Sequence, residues 1–357
     1  MSHGVSFGLI VNGDEPPDRD PLEIVDAEIE GAVAAREAGF GSISVAHRYS
    51  YGPAADGAAG KALTTWRTQP FAMLAHLAAL LRDTVHYQTS VLVSPGLHPV
   101  QLAEDVATLD ALCRGRLRLG IALGWMPYEF QAFGVAARER GERFTELLRA
   151  YRMLFEAGEV NFIGRFFQLA NAGLVARPVQ RPMPPLWVGA SSPPAVRRAA
   201  QLGDALIMSA HMDLATLKRQ RDQFTELRAQ AGRPPVTQRP ISRLVVIADD
   251  RETALREVRP LAEQWYKRRG EVGWFVTNGP DADIKLIGDG RWIVGDPDDC
   301  AAQVRRLRDE LGVTDIICTL PPHIGQKRRL QTIELLGRHV IPEFRPGPEP
   351  LPEMSGE

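Results

Sequence analysis

Three histidines follow short apolar stretches at the point where each stretch ends. His47 comes directly after SISVA, His98 follows VLVSPGL, and His211 follows ALIMSA. An imidazole has an ordinary pKa of about 6.5, so a histidine at the edge of a binding cleft can exchange protons near neutral pH. His47 has no turn residue before it and is the first candidate for catalysis. A structural role is the alternative for all three.

The stretch from Gly115 to Phe130, GRLRLGIALGWMPYEF, ends an apolar run in a glycine and then supplies aromatic and acidic side chains. Gly124 allows the backbone to approach a planar ligand closely, and Trp125 and Tyr128 would lie at the rim of a site. A tryptophan that caps the core is the alternative for Trp125. For Glu129 we expect a solvated acid at a helix start, where acids are favoured.

The stretch from Pro185 to Asp204, PLWVGASSPPAVRRAAQLGD, joins a strand that ends at Gly189 to the start of a helix. Ser192 before Pro193 is typical of an N-cap followed by the first helical residue. Such a start presents free backbone N–H groups and the positive end of the helix dipole, so it can hold a phosphate. The hydroxyls of Ser191 and Ser192 would add donors. A simple capped helix is the alternative.

Several other chemistries lack their motifs. There is no HExxH and no cluster of His, Asp and Glu at metal-binding spacing, so we expect no metal site. Walker A, GxGxxG after a strand and GxSxG are also absent from the sequence. The three cysteines, Cys113, Cys300 and Cys318, form no CxxC pair and fit small core residues. The net charge of −2 indicates neither nucleic acid nor a membrane surface as a partner.

The elements that must position these residues are strands alternating with helices. Eight near-continuous Val, Ile and Leu runs are typical of parallel strands covered on both faces. We predict strands at Val5–Val11, Ser42–Ala46, His86–Val93, Leu117–Ala122, Leu186–Gly189, Ala205–Met208, Leu244–Ala248 and Asp315–Thr319. Amphipathic helical stretches lie between them. The pattern favours a (β/α)8 TIM barrel over a doubly wound open sheet, and in a barrel the carboxyl ends of the strands form the active-site mouth.

Three longer segments interrupt this alternation and are predicted as insertions at the mouth. Arg48–Thr68 and Gly270–Pro297 carry Tyr, Phe and Trp residues and are expected to form a lid, whereas Glu159–Pro185 should hold a small hairpin. We expect one domain over residues 1–345 and a disordered Pro- and Glu-rich tail over 346–357. No signal peptide and no apolar run of about 20 residues is seen, which favours a soluble, cytoplasmic protein.

Two blocks, correctly ordered and spaced, resemble the bacterial luciferase-like monooxygenase family. They are HPVQLAEDVATLDALCRGRLRLGIALGWMPYEFQAFGVAARERGERFTELL and PVQRPMPPLWVGASSPPAVRRAAQLGDALI. The resemblance extends in order from Phe7 to Pro342. SVAHRYS is similar to the family's strand-2 segment that carries an active-site histidine, so the resemblance assigns that role to His47.

The resemblance implies a (β/α)8 barrel with a reduced flavin or deazaflavin across its mouth. Its cofactor residues would be Gly124, Trp125, Gly189, Ser191 and Ser192, and its substrate or lid residues would be Trp66, Tyr128, His211 and Trp274. A monooxygenase that takes reduced flavin mononucleotide (FMN) from a separate reductase and acts with O₂ on a small organic substrate is the favoured function. The family often forms homodimers.

Two departures from the family pattern bear on the cofactor. Many FMN-dependent members carry an acid just before the strand-2 histidine, where this chain has Ala46, and some carry a phosphate-binding Tyr where it has Phe144. An oxidoreductase that transfers hydride with the deazaflavin coenzyme F-420 is therefore the alternative. A non-catalytic flavin-binding protein and a flavin-free barrel lyase or hydrolase are alternatives of other classes. The last would need an inward Lys or a carboxylate pair at strand ends, and the sequence offers neither.

Overall fold

The computed structural model describes residues 4–13, 15, 18–49, 66–321 except 271–286, and 324–345, without the side chains of 263–270. Most of the first predicted lid segment, much of the second, which includes Trp274, and the tail after residue 345 lie outside the described residues. None of the helices described is long and apolar enough to cross a membrane.

Eight parallel strands form a closed ring. In ring order they are β1 (Ser6–Ile10), β2 (Ser42–Val45), β3 (His86–Thr89), β5 (Leu117–Ala122), β8 (Leu186–Ala190), β9 (Ala205–Met208), β10 (Pro240–Ile247) and β12 (Asp315–Thr319). A short strand, β4 (Leu92–Val93), pairs with β5. All eight predicted strands are present, so the predicted (β/α)8 barrel is confirmed and the open sheet is excluded.

The ring closes at a seam between β9 and β10. The two strands share a single register pair, Ile241 with Met208. Arg243, which is fully buried, donates from Nη1 to the carbonyl oxygen of Ser209 (3.1 Å) just beyond β9. A side chain therefore supplements the backbone pairing at this point of the ring.

One strand was not predicted. β11 (Trp292–Gly295) pairs in parallel with the second half of β10, within the segment predicted as a lid. Trp292 is only 1% exposed and packs with Leu244, Val246 and Val258, so its interpretation as a lid residue is wrong. The run WIVG is short and follows a Gly- and Asp-rich stretch, which hid the strand in the sequence.

The helices surround the ring. They are α1 (Pro21–Glu37), α2 (Pro70–Leu81), α3 (Pro99–Leu112), α4 (Pro127–Ala132), α5 (Arg140–Glu156), α6 (Pro193–Leu202), α7 (Leu214–Gln230), α8 (Arg251–Gly270), α9 (Pro297–Leu311), α10 (Gln326–Leu335) and α11 (Ile341–Phe344), with a π-helical turn at Leu336–Val340. Six of them begin with proline, whose missing N–H costs nothing at the first helical position.

The predicted hairpin is confirmed as β6 (Val160–Ile163) and β7 (Gln168–Ala172), which pair antiparallel. Glu146 of α5 fixes its turn by accepting from the backbone N–H groups of Arg165 (2.9 Å) and Phe166 (2.9 Å). The hairpin therefore packs on α5.

The core has two layers. The larger layer lies between the ring and the helices. The smaller one joins Trp187, Ile207 and Ile317, which come from β8, β9 and β12 and meet across the ring's interior. Arg118 and Asp315 form a buried ion pair (3.0 Å). The barrel is thus a packed core, and ligands can enter only at its mouth.

The strand register levels the strand ends at the mouth. Val45 is opposite Thr89, Ala122 is opposite both Val93 and Gly189, and Ala190 is opposite Met208. The residues that follow these strands therefore lie side by side along the rim, from His47 to His211.

Candidate active site

His47 is held by the backbone of the neighbouring strand. The N–H of Val93 donates to its Nδ1 (3.2 Å), so the ring proton of the neutral imidazole is on Nε2. Burial lowers the pKa of His47 to about 4; the charge of Arg67 also lowers it, and a hydrogen bond with Gln69 acts in the opposite direction. Burial therefore favours an uncharged His47 that donates from Nε2 at neutral pH, in contrast to the predicted proton exchange near neutrality.

Aromatic rings continue from His47 across the rim. The rings of His47 and Tyr49 meet edge to face, with their centroids 4.2 Å apart, and Tyr49 meets Phe133 in the same way at 4.5 Å. A Cβ at Gly96 would lie 2.5 Å from the Phe133 ring. Glycine at this position therefore makes room for the row of rings, which forms one apolar wall beside His47.

Glu129 is buried, with only 1% of its surface exposed, and so the prediction of a solvated acid at a helix start is wrong. The carboxylate accepts from the backbone N–H of Tyr49 (2.9 Å). Burial raises the pKa of this carboxyl, while the bond from Tyr49 and the charge of Arg48 lower it. Glu129 ties α4 to the loop after β2 and so helps to place the aromatic row.

Asn12 is a site residue that the sequence reasoning missed. Its side chain donates to the carbonyl oxygens of Ala46 (2.8 Å) and Thr68 (3.2 Å) and accepts from the N–H of Ala46 (2.7 Å). It therefore holds the residue before His47 on both backbone groups. Its position directly after the first predicted strand was the available signal.

The rim beyond β5 matches the prediction of a close-approach glycine and a surface aromatic. Gly124 has a φ of +85°, which L side chains rarely adopt. Trp125 is 37% exposed, so the alternative of a core tryptophan is wrong. Tyr128 is half-buried on α4. Their roles toward a ligand stay predictions.

The predicted phosphate loop lies at the neighbouring strand end. Ser191 is half-buried, and Ser192 is exposed and caps α6 without a side-chain hydrogen bond, so its hydroxyl is not used by the helix. The first two helical residues, Pro193 and Pro194, have no N–H. The helix start thus offers fewer backbone donors than expected, and the two serine hydroxyls become the principal ones.

The remaining predicted residues are spread around the mouth. His211 is half-buried beyond β9, where its carbonyl oxygen accepts from Arg291 (3.0 Å). Trp66 forms a backbone bridge with Glu15, and His98 starts α3 with its ring against Phe167. Trp274 lies outside the described residues. No group of three or more potential metal ligands occurs among the residues that the structure describes.

A cavity of about 160 Å³ lies beside His47, between the starts of α2 and α3, and its lining includes Tyr49, Phe71, His98 and Asp105. This volume is below the roughly 300–1,000 Å³ of typical ligand pockets. It is too small for a flavin ring.

The rim has the length that such a ligand needs. From β2 to β8 the ring crosses three strand intervals, which at about 4.8 Å each separate His47 from Ser191 by about 14 Å. A neutral imidazole, an apolar row of rings and the pair Ser191 and Ser192 thus lie along this stretch of the rim. The arrangement can hold a planar ring near His47 and a phosphate near the serines.

A family model described as luciferase-like monooxygenase matches residues 5–315. The FMNH₂-dependent dimethylsulfone monooxygenase of Pseudomonas putida is 27% identical over 295 residues, which cover 75% of this chain and 77% of that protein. The oxygenase component of the flavin-dependent trigonelline monooxygenase of Acinetobacter baylyi is 34% identical over 136 residues, 38% of this chain and 37% of that protein. The match spans only 37% of the length of the trigonelline monooxygenase component and 52% of the length of another curated relative.

Solved structures share the fold at low identity. A monooxygenase from Streptomyces bottropensis superposes with a TM-score of 0.80 at 21% identity, covering 96% of this chain and 100% of that one. An F420-dependent secondary alcohol dehydrogenase, solved with an F420–acetone adduct, gives a TM-score of 0.75 at 19% identity, covering 97% of this chain and 100% of that one. At these identities the likeness concerns the fold alone.

Proposed function

Because the chain belongs to the luciferase-like monooxygenase family, we propose that it is a flavin-dependent oxidoreductase, and that it uses reduced FMN and O₂ to oxidise a small organic substrate. The observation that carries the proposal is the stretch of rim from His47 to Ser191, at the carboxyl ends of the barrel strands. The flavin-dependent trigonelline monooxygenase and the FMNH₂-dependent dimethylsulfone monooxygenase, both similar to this chain, support the choice of cofactor.

The residues present fit a flavin with a phosphate tail. Ser192 has a hydroxyl that is not engaged in capping its own helix, and α6 directs its positive dipole end toward the same place. Gly124, with its positive φ, lets the backbone approach a flat ring closely. Gly189 lies between Gly124 and Ser192 along the rim. It pairs with Ala122, so the side chains at this point are small.

Each part of the rim from His47 to Ser191 has its own task in the proposed reaction. When bound, reduced FMN supplies the electrons that activate O₂. Because Val93 occupies Nδ1 and Gln69 hydrogen-bonds the same ring, the reacting centre shares or takes the place of Gln69 at Nε2, from which His47 donates. Trp125 and the row from Tyr49 to Phe133 exclude water from the ring's surroundings. Ser191 and Ser192 hold the phosphate. Trp66, Tyr128, His211 and Trp274 are proposed for the substrate side.

Use of the deazaflavin coenzyme F-420 is the second candidate. Ala46 stands where many FMN-dependent members carry an acid, and Phe144 stands where some carry a tyrosine. The F420-dependent secondary alcohol dehydrogenase shares the fold at a TM-score of 0.75. Phe144 is buried beneath the guanidinium of Arg198, 5.4 Å from its ring, so it cannot take over a phosphate contact.

A separate flavin reductase is the proposed protein partner. The trigonelline relative is an oxygenase component, which supports a two-component system in which reduced FMN diffuses from one protein to the other. The predicted homodimer stays a prediction.

Anaerobic titration with reduced FMN and reduced F-420, side by side, tests the proposal. We expect quenching of protein fluorescence with FMN at micromolar affinity or better, and weaker binding of F-420. O₂ consumption in the presence of a reductase and candidate substrates then follows. Preferential binding of F-420 would favour hydride transfer, and binding of neither coenzyme would refute both versions.

A further inference from the structure

The chain returns to the mouth through a short segment, Trp66–Gln69, that is fastened to the barrel on several sides. Trp66 and Glu15 exchange backbone hydrogen bonds (3.0 and 3.3 Å). Gln69 ends the segment, where its side chain hydrogen-bonds the imidazole of His47 and also donates to the carbonyl oxygen of Arg48 (3.2 Å). The position of this segment therefore determines where Gln69 meets His47.

Glu28 fastens the same segment from the outer layer. It lies on α1, is 1% exposed, and its Oε2 accepts from the hydroxyl of Thr68 (2.7 Å). Its Oε1 is buried and has no hydrogen-bond partner in the described part of the chain. A carboxyl buried in a helix face that otherwise packs apolar residues is costly, and the charge of Arg329 on the neighbouring helix offsets part of that cost.

Two short routes lead from Thr68 to His47. The carbonyl oxygen of Thr68 accepts from Asn12 (3.2 Å), which in turn binds both backbone groups of Ala46, the residue before His47. Its covalent neighbour Gln69 contacts His47 directly. The carboxyl of Glu28 is thus three hydrogen bonds from Ala46, the residue before His47, and one bond and one residue from the side chain that holds its ring.

We propose that Glu28 is a positioning residue for the proposed reaction: through Thr68 it locks the segment Trp66–Gln69, and with it the imidazole of His47, and the lock tightens when the carboxyl is ionised. The catalytic role of Glu28 rests on the proposed function.

The surroundings of Glu28 place its ionisation near neutral pH. Burial raises its pKa to about 7; Glu15 also raises it, whereas the hydrogen bond from Thr68 and the charges of Arg67 and Arg329 lower it. These groups come from the loop after β1, the Trp66–Gln69 segment and α10. Above this pKa the bond from Thr68 is charge-assisted and therefore stronger.

Arg67 couples the two titrating groups. Its positive charge acts both on Glu28 and on His47, where it lowers the pKa. Ionised Glu28 offsets this charge, and neutral Glu28 leaves it uncompensated beside the imidazole. His47 nevertheless stays neutral on both sides of pH 7, because burial alone holds its pKa far lower. A change in its surroundings near pH 7 therefore reports Glu28.

The test is a pH titration of ¹⁵N-histidine-labelled full-length protein by NMR, without cofactor, with His47 assigned from His47→Asn. We expect the His47 nitrogen shifts of the wild type to show a step near pH 7 in addition to protonation at lower pH. Glu28→Gln, which keeps shape and lacks the charge, should lose that step. Thr68→Val, which keeps the volume of Thr68 and lacks its hydroxyl, should reduce it, and Glu28→Asp should partly restore it at a shifted pH.

Three outcomes overturn the proposal: no step in the wild type, a step that persists in Glu28→Gln, or a step unaffected by Thr68→Val. Reduced-FMN binding is measured on the same samples. A step that depends on Glu28 in a protein that binds no flavin would refute the proposed function and leave the lock in place. With flavin bound, the oxidation rate of reduced FMN should vary with pH near 7 in the wild type, and this variation should be lost in Glu28→Gln.

Discussion

A hydrogen bond from the backbone and burial in the barrel mouth make His47 less basic than a free histidine and fix the position of its ring proton. With Nδ1 occupied by the N–H of Val93 and a pKa of about 4, it can donate from Nε2 but cannot serve as a base that takes up a proton near pH 7. This suits stabilisation of negative charge that develops on a reacting centre, which oriented donors achieve without reorganisation.

The donor role predicts different outcomes for two amides at this position. The Asn amide reaches to about Nδ1, and the longer Gln amide reaches to about Nε2. His47→Asn should therefore slow oxidation of bound reduced FMN by about 10²–10³-fold, the typical cost of one oriented donor, and His47→Gln should keep much of the rate. Stopped-flow absorbance measures both. Equal rates in the two variants, or an inflection near pH 6.5 that disappears with His47, would contradict a neutral donor.

Trp125 tests whether the rim binds a flat ring. Since it is 37% exposed, Trp125→Ala should cost well below the roughly 3–5 kcal/mol of a buried tryptophan. Loss of one aromatic contact should weaken FMN binding by about tenfold. Trp125→Phe, which keeps a ring, is the control. Urea denaturation and FMN titration together decide, and a large loss of stability with unchanged affinity would assign Trp125 to packing.

At the scale of elements, the loop between β8 and α6 is the most informative. Its sequence, GASSPP, is short and sits next to Gly124 across one strand pair. Because its two prolines remove backbone donors, phosphate recognition there depends on Ser191, Ser192 and the helix dipole. The loop therefore tolerates no negative side chain if a phosphate binds.

Ser192→Asp places such a charge on the loop. At about 4 Å and an effective dielectric of about 20, the repulsion is of order 4 kcal/mol before solvent screening, and the exposure of Ser192 reduces this. We expect FMN affinity to fall by at least about tenfold. Ser192→Asn is the matched neutral variant, and both Asp and Asn are good N-caps, so the fold should persist. If the Asp and Asn variants bind FMN equally, the phosphate lies elsewhere.

The elements were largely predictable because their signals are local. Parallel strands and the hairpin follow from apolar runs and turn residues, and the mouth residues follow from strand ends. The contacts that tune the site were not. The hydrogen-bond partners of Asn12 lie 34 and 56 residues away in the sequence. Glu129 was predicted to be exposed to solvent because acids are favoured at helix starts. Glu28 is a polar residue on a buried helix face. Only the assembled ring brings these partners together.

At the scale of the whole molecule, Glu28 links stability to pH. Its pKa is higher in the folded chain, about 7, than its ordinary 4.5, so the folded state binds a proton that the unfolded state has released. The unfolding free energy therefore falls as pH rises from about 4.5 to about 7. Above about pH 7 the destabilisation by ionised Glu28 stays constant. The full effect is on the order of 3 kcal/mol.

Glu28→Gln should remove this dependence. Relative to the wild type, the variant should become more stable at about pH 8 than at about pH 4.5, by up to about 3 kcal/mol. Urea denaturation at several pH values measures the difference. Glu142→Gln, at an exposed surface position, is the control and should leave the pH dependence unchanged. A constant difference between Glu28→Gln and the wild type would show that Glu28 keeps an ordinary pKa.

The seam between β9 and β10 makes the barrel uneven: its strand pairing is weakest at this one junction. Only Ile241 and Met208 pair there, and Arg243 adds a side-chain hydrogen bond. Local opening should begin where the fewest hydrogen bonds must break. In hydrogen–deuterium exchange we therefore expect the amides of β9 to exchange before those of β1, which pairs over four residues with β12 and over three with β2. Such opening would part the rim beside His211 and leave the walls around His47 and Ser191 intact, so that the mouth could widen on one side alone to admit a substrate.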